Sequence, residues 1–184
     1  EADSMGSVLN RSSDFMKHPF APEKNEAWIV DVAAVTALGD HLEGTWQQLL
    51  QSRTAIRAVE RFRVDGYASG VAACISDLAP EEHGSMMPVL LARLARGLGP
   101  VPSDARVVTA TTKAGIDVLK PYQRGRSFLS QDLFPASFPH RVSEAFGLKR
   151  QGINISAACA SSTIAVTQAC AMIQSGTAEV VLVC

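Results

Sequence analysis

Cysteine is scarce in this chain of 184 residues, with four in all. Cys74, Cys159, Cys170 and Cys184 stand 85, 11 and 14 residues apart, so none forms a C-x-x-C pair and no zinc-ligand spacing is present. Disulfide scaffolds are shorter and far denser in cysteine. Reduced thiols in a cytoplasmic protein are the expectation, with no metal site. An excess of charge of either sign is also missing: 17 Lys and Arg face 18 Asp and Glu, for a formal net charge of -1. That balance gives no reason to expect nucleic acid or an anionic membrane as partner. Long apolar runs are lacking too. Residues 86–98 are interrupted by Pro88, Arg93 and Arg96, so no membrane span is expected. There is no internal repeat and no low-complexity block. The first 27 residues have no apolar signal core and carry acidic and basic residues throughout. Residues 1–27 are expected to be a flexible tail or, given Met5-Gly6-Ser7, an expression remnant.

What is present is enough apolar residue, 47% of the chain, to bury a real core. Strand-like runs fall at 28–35, 69–75, 106–112, 152–156 and 179–184. Helical spacing falls at 41–51, 86–97, 131–146 and 160–175, with Gly97 and Gly147 as stops. Strands alternate with helices, and the later strands are apolar on both faces. This predicts an α/β layer architecture with helices on each side of a sheet. Domains seldom stop inside a core strand, so the chain, which ends on one, is expected to be part of a longer protein.

The most informative stretch is Gly152-Ile153-Asn154-Ile155-Ser156-Ala157-Ala158-Cys159-Ala160-Ser161-Ser162-Thr163. A short apolar run stops at a cysteine, a helix opens directly after it, and every neighbour is small. A thiol pushed out of such a turn meets unpaired N–H groups and the positive end of a helix dipole. Both favour thiolate, the nucleophilic form. The Cys159 N–H is a natural oxyanion donor, and the small neighbours leave room for an acyl chain. A buried, inert cysteine is an equally good reading of these residues alone.

The stretch I-S-A-A-C-A-S-S resembles the nucleophile motif of the β-ketoacyl-acyl-carrier-protein synthases, of the thiolase superfamily. Other segments resemble that family in the same order. Residues 30–39 are similar to its opening strand and turn. Residues 46–56, with Arg61-Phe62 after them, are similar to its W-x-x-L-x-x-G-x-S-x-I segment. Residues 107–115 resemble the strand and turn beside the acyl pocket, and 169–183 the helix and strand after the nucleophile. The resemblance spans about residues 28 to 184.

What it implies is a thiolase-like layered fold, the first αβα half of an αβαβα architecture, incomplete, in residues 28–184. It implies the N-terminal portion of an acyltransferase that accepts an acyl group on Cys159 and condenses it with a malonyl extender by decarboxylative Claisen condensation, in a fatty acid, polyketide or aryl polyene pathway. Thr111, Thr112, Ala158, Ala160 and Ser161 become candidates to line the acyl pocket. Arg124 and Arg126 become candidates to dock an acidic acyl carrier protein, with Arg57, Arg61, Arg63, Lys149 and Arg150 as further ones. No cofactor is implied, since phosphopantetheine arrives on the carrier protein. A homodimer or synthase-type heterodimer is implied.

The family's two catalytic histidines lie in its C-terminal half, whereas His18, His41, His83 and His140 all precede Cys159. The segment alone is therefore expected to be inactive in elongation. Three departures stand out: a short 79–102 region, Lys113 where small or hydroxyl residues are commoner, and A-C-A in place of the commoner T-A-C-x-S form. The alternative is a non-catalytic synthase-like partner subunit, but such partners usually lack the cysteine. An unrelated cysteine hydrolase would need a histidine downstream of Cys159. His140 reads as a surface histidine, and Cys74, Cys170 and Cys184 as core thiols.

Overall fold

A computed structural model describes residues 26–78, 85–119 and 131–184. The elements run α1 (Leu42–Leu50), β1 (Ile56–Ala58), β2 (Val71–Ala73), α2 (Met87–Gly97), β3 (Arg106–Ala110), α3 (Phe138–Phe146), β4 (Ile153–Ile155), α4 (Ser161–Gln174) and β5 (Val181–Val183). The heart of the fold is a parallel sheet in the order β4-β3-β5. β3 lies in the middle, and Val107, Val108 and Thr109 are fully buried. A β-branched run sealed on both faces is what a central parallel strand requires.

The connections explain the layering. β3 reaches β4 through α3, and β4 returns past β3 to β5 through α4. Two right-handed crossovers that run in opposite directions along a sheet place their helices on opposite faces. Val107 accordingly packs with Met87 and Leu91 of α2 and Val142 of α3. On the other face α4 packs on β3, β4 and β5 through Ala165 and Ala169. Small residues there let helix and sheet approach closely.

Local chemistry sets the ends of the helices. His41 Nδ1 accepts the Gly44 N–H at 2.9 Å and caps α1. The start of α2 is capped from far along the chain. Asp117 accepts the Met86 N–H at 2.6 Å and the Ser85 hydroxyl at 2.9 Å. Gly147 ends α3 in the left-handed conformation, φ 65°, and Leu148 N–H closes the turn onto Ser143 C=O at 2.8 Å.

Three sequence expectations change. Residues 28–35 form no strand, because among the described residues they find no ladder partner. Trp28, Ile29, Val30 and Val32 are exposed instead. The expected strand at 69–75 shrinks to β2, which pairs antiparallel with β1, a strand the pattern did not reveal. The expected helix at 131–146 becomes two short 3-10 turns, Gln131–Leu133 and Pro135–Ser137, before α3. Pro135 lacks the N–H a continuous helix needs, whereas Pro139 falls in the first turn of α3, where none is needed. The tail expected at 1–27 lies outside the described residues, apart from Glu26 and Ala27.

Candidate active site

β4 and β3 deliver two bends to the same end of the sheet. The first follows β4. Ile155 ends the strand, and residues Ala158–Ala160 form a single 3-10 turn that leads straight into α4. Cys159 sits in the middle of that turn and is exposed. Ala158 has φ 48°, left-handed backbone in a residue with a Cβ. Such a conformation costs about 1–2 kcal/mol and persists only where the surroundings impose it.

Ser161 imposes it. Its hydroxyl donates to Ala158 C=O at 2.8 Å and accepts the Ala157 N–H at 2.8 Å. Ala160 N–H donates to Ala157 C=O at 3.0 Å and closes the same turn. Among the described residues the Cys159 N–H meets no acceptor. No side chain caps the start of α4. The sulfur therefore stands on an open, uncapped helix start, beside a main-chain donor free to bind an oxyanion.

The second bend follows β3. Thr111 Oγ1 accepts the Lys113 N–H at 3.3 Å and the Ala114 N–H at 2.9 Å. Ala114, like Ala158, is left-handed, with φ 43°. Gly115 N–H then donates to Asp132 C=O at 2.8 Å. A Cβ on Gly115 would lie 2.7 Å from Ser85 Oγ and 2.9 Å from Asp132 O, so glycine is required by space.

The expected pocket residues separate into two groups. Ala158, Ala160 and Thr112 are exposed around the bends. Thr111 and Ser161 spend their hydroxyls on the backbone, and Ser161 is only 5% exposed. Ser161 thus acts as a latch for the turn. That role was invisible in the sequence, because serine after a cysteine signals nothing about its partners. Lys113 is exposed.

Arg124 and Arg126, like His18 and His83, lie outside the described residues. Arg57 donates to Cys74 C=O, Arg61 to the carbonyls of Ile75 and Leu78, and Arg63 pairs with Asp65. Lys149 and Arg150 are exposed. His140 stands on the surface of α3 with Nε2 3.3 Å from Glu144 Oε1. The other thiols differ from Cys159. Cys184 is in the sheet, and burial pushes its thiol up to about 11. Cys74 and Cys170 are half-buried. Among the described residues no group of three His, Cys, Asp or Glu is placed to hold a metal ion, and no helix is long and apolar enough to cross a membrane. A groove of about 450 Å³ lies between α4 and the sheet, lined by Arg106, Gln151, Gly152, Met172 and Ser175 among others. These residues mark the start of the strands and the end of α4, so the groove lies at the far end of the sheet from Cys159.

Comparisons with known proteins agree with this geometry. Residues 101–184 match the family described as Beta-ketoacyl synthase, N-terminal domain. No curated protein matches the chain in sequence. Among solved structures, the chain is similar to the oxazolomycin ketosynthase domain OzmH KS7 of Streptomyces albus JA3453, with a TM-score of 0.57 and 21% identity. The match covers 82% of this chain and 32% of that one, so the chain spans about a third of the ketosynthase's length. Residues 101–184, with both bends and Cys159, match the model of that N-terminal domain, and the fold is like that of a ketosynthase domain.

Proposed function

We propose that the chain is the N-terminal portion of a β-ketoacyl synthase whose acyl acceptor is Cys159. The observation that carries this reading is an exposed sulfur at a left-handed bend, directly ahead of an uncapped α-helix. In the first step the Cys159 thiolate adds to the thioester carbonyl of an acyl carrier protein. The carbonyl electron pair moves onto oxygen, and the free Cys159 N–H stabilises it. Collapse expels the carrier's phosphopantetheine thiolate and leaves the acyl group on sulfur. In the second step a malonyl thioester loses carbon dioxide. The resulting carbanion attacks the acyl carbon, and Cys159 leaves as thiolate.

His41 caps α1 and His140 pairs with Glu144, so neither of these histidines is offered to the second step. The resemblance assigns that step to histidines beyond residue 184. The character of α4 supports a longer protein. It has no charged residue and its apolar residues fall on more than one side, yet it buries only Ser161, Ala165 and Ala169 and leaves Ile164 and Val166 exposed. A helix of that composition normally lies between two layers. The sheet edge at β4, with Ile153 exposed, supports pairing with a second copy or a synthase-type partner. The carrier protein is the proposed partner, the compartment is cytoplasmic, and the enzyme needs no resident cofactor.

Incubation of the intact protein with an acyl carrier thioester and a malonyl carrier thioester tests the reading. The expected result is carbon dioxide release and a β-ketoacyl product by mass spectrometry, while residues 1–184 alone give no product. A non-catalytic partner subunit would give neither product nor acyl adduct in either form.

A further inference from the structure

Asn154 lies on β4, five residues before Cys159, in register with Thr109 of β3. Its side-chain oxygen accepts the Thr109 hydroxyl at 2.8 Å and the Thr111 N–H at 3.2 Å. Its side-chain nitrogen donates to Thr111 C=O at 3.0 Å. Thr111 offers one donor and one acceptor, so the orientation of the amide is fixed by its partners.

The main-chain pairing of β3 with β4 ends at Ala110 and Ile155. One residue further on, the Asn154 amide takes the place of a peptide group and holds both polar atoms of the Thr111 backbone. Thr111 is where the first bend begins, and its hydroxyl builds the turn that holds Ala114 left-handed. The far end of that bend is tied down by Gly115 to Asp132. One side chain on the strand that feeds the nucleophile turn therefore fixes the near end of the neighbouring bend.

We propose that Asn154 is a positioning residue that sets the spacing between the 111–115 bend and the Cys159 turn, and thereby which acyl chains reach the sulfur. This rests on Cys159 being the acyl acceptor. Asn154→Asp tests it with almost no change of size. The oxygen facing Thr109 and the Thr111 N–H is kept, while the donor to Thr111 C=O becomes a second acceptor that repels it. Thr111→Val is the companion variant: it keeps the backbone bonds and removes the hydroxyl that builds the bend.

The assay measures transfer of acetyl, hexanoyl and decanoyl groups from N-acetylcysteamine thioesters onto Cys159 of the intact protein. Alkylation of the same sulfur by iodoacetamide is measured in parallel. The expected result for both variants is a change of about tenfold in the ratio of rates among the three acyl chains. Iodoacetamide alkylation should stay within about twofold of the unaltered protein, because the small reagent does not depend on the bend. A purely structural role would lower all three acyl rates together, in step with the melting temperature, and overturn the proposal. So would unchanged ratios in a folded variant. If Asn154→Asp fails to fold, Thr109→Val, which removes the hydroxyl that Asn154 Oδ1 accepts, decides the matter by the same ratio. Absence of any acyl adduct on the unaltered protein would instead sink the assignment of Cys159 itself.

Discussion

Replacing Cys159 with alanine is expected to abolish acyl capture, lowering the rate of adduct formation by at least about a thousandfold, with the melting temperature unchanged. The sulfur is exposed and makes no packing contact that the core needs, so its loss removes chemistry and spares the fold. Ser161→Ala separates the sulfur from its presentation. That change removes both latch bonds, to Ala157 N–H and Ala158 C=O, and frees Ala158 from its left-handed conformation. The turn relaxes, the thiol stays, and adduct formation falls by about a hundredfold, the scale expected when a reacting atom is misplaced by about 1 Å. Intact-protein mass spectrometry over time after addition of an acyl thioester reads both variants. Equal rates in Ser161→Ala and the unaltered protein would show that the strained turn has no part in the reaction.

Gly152→Ala is expected to damage the fold more than any other single methyl group considered above. A Cβ at this position would lie 2.5 Å from Val107 O and 2.6 Å from Val107 Cβ. Val107 is 1% exposed at the centre of the sheet and packs among Met87, Leu91 and Val142, so it has nowhere to go. β4 would have to move away from β3, which breaks the pairing that carries Asn154 and Cys159 to their places. Forced overpacking of a close-packed core costs about 3 kcal/mol. For a chain of this length that lowers Tm by about 10 °C, measurable by circular dichroism. An unchanged Tm would mean that β3 and β4 do not pair in this register.

How much of this was legible in the sequence depends on which interactions decide each feature. β3, β4, β5 and α4 were readable because β-branched and small apolar residues in short runs serve one purpose there, burial against parallel neighbours. The turn that holds Cys159 was readable because a crowd of small residues around a cysteine is what a sharp strand-to-helix turn needs. Residues 28–35 misled because an apolar, β-branched run specifies a strand only when a neighbour completes its ladder. β1 escaped because Ile56-Arg57-Ala58 is too short to show alternation, and its partner lies across the 59–70 segment. The two left-handed alanines, Ala114 and Ala158, could not be foreseen, since glycine is the usual sign of that conformation. The latch at Ser161 and the clamp at Asn154 are tertiary facts. Each depends on which carbonyl or amide the fold brings within reach.

In the proposed reaction the sulfur at the bend before α4 receives the acyl group. Peptide-resolved mass spectrometry of the intact protein after a brief exposure to an acyl thioester tests this most directly. An acyl adduct is expected on Cys159 alone, with Cys74 and Cys170 unmodified and Cys184 protected by its burial and by a thiol held near 11. An adduct spread evenly over the four cysteines, or found on any of the other three and absent from Cys159, would contradict it.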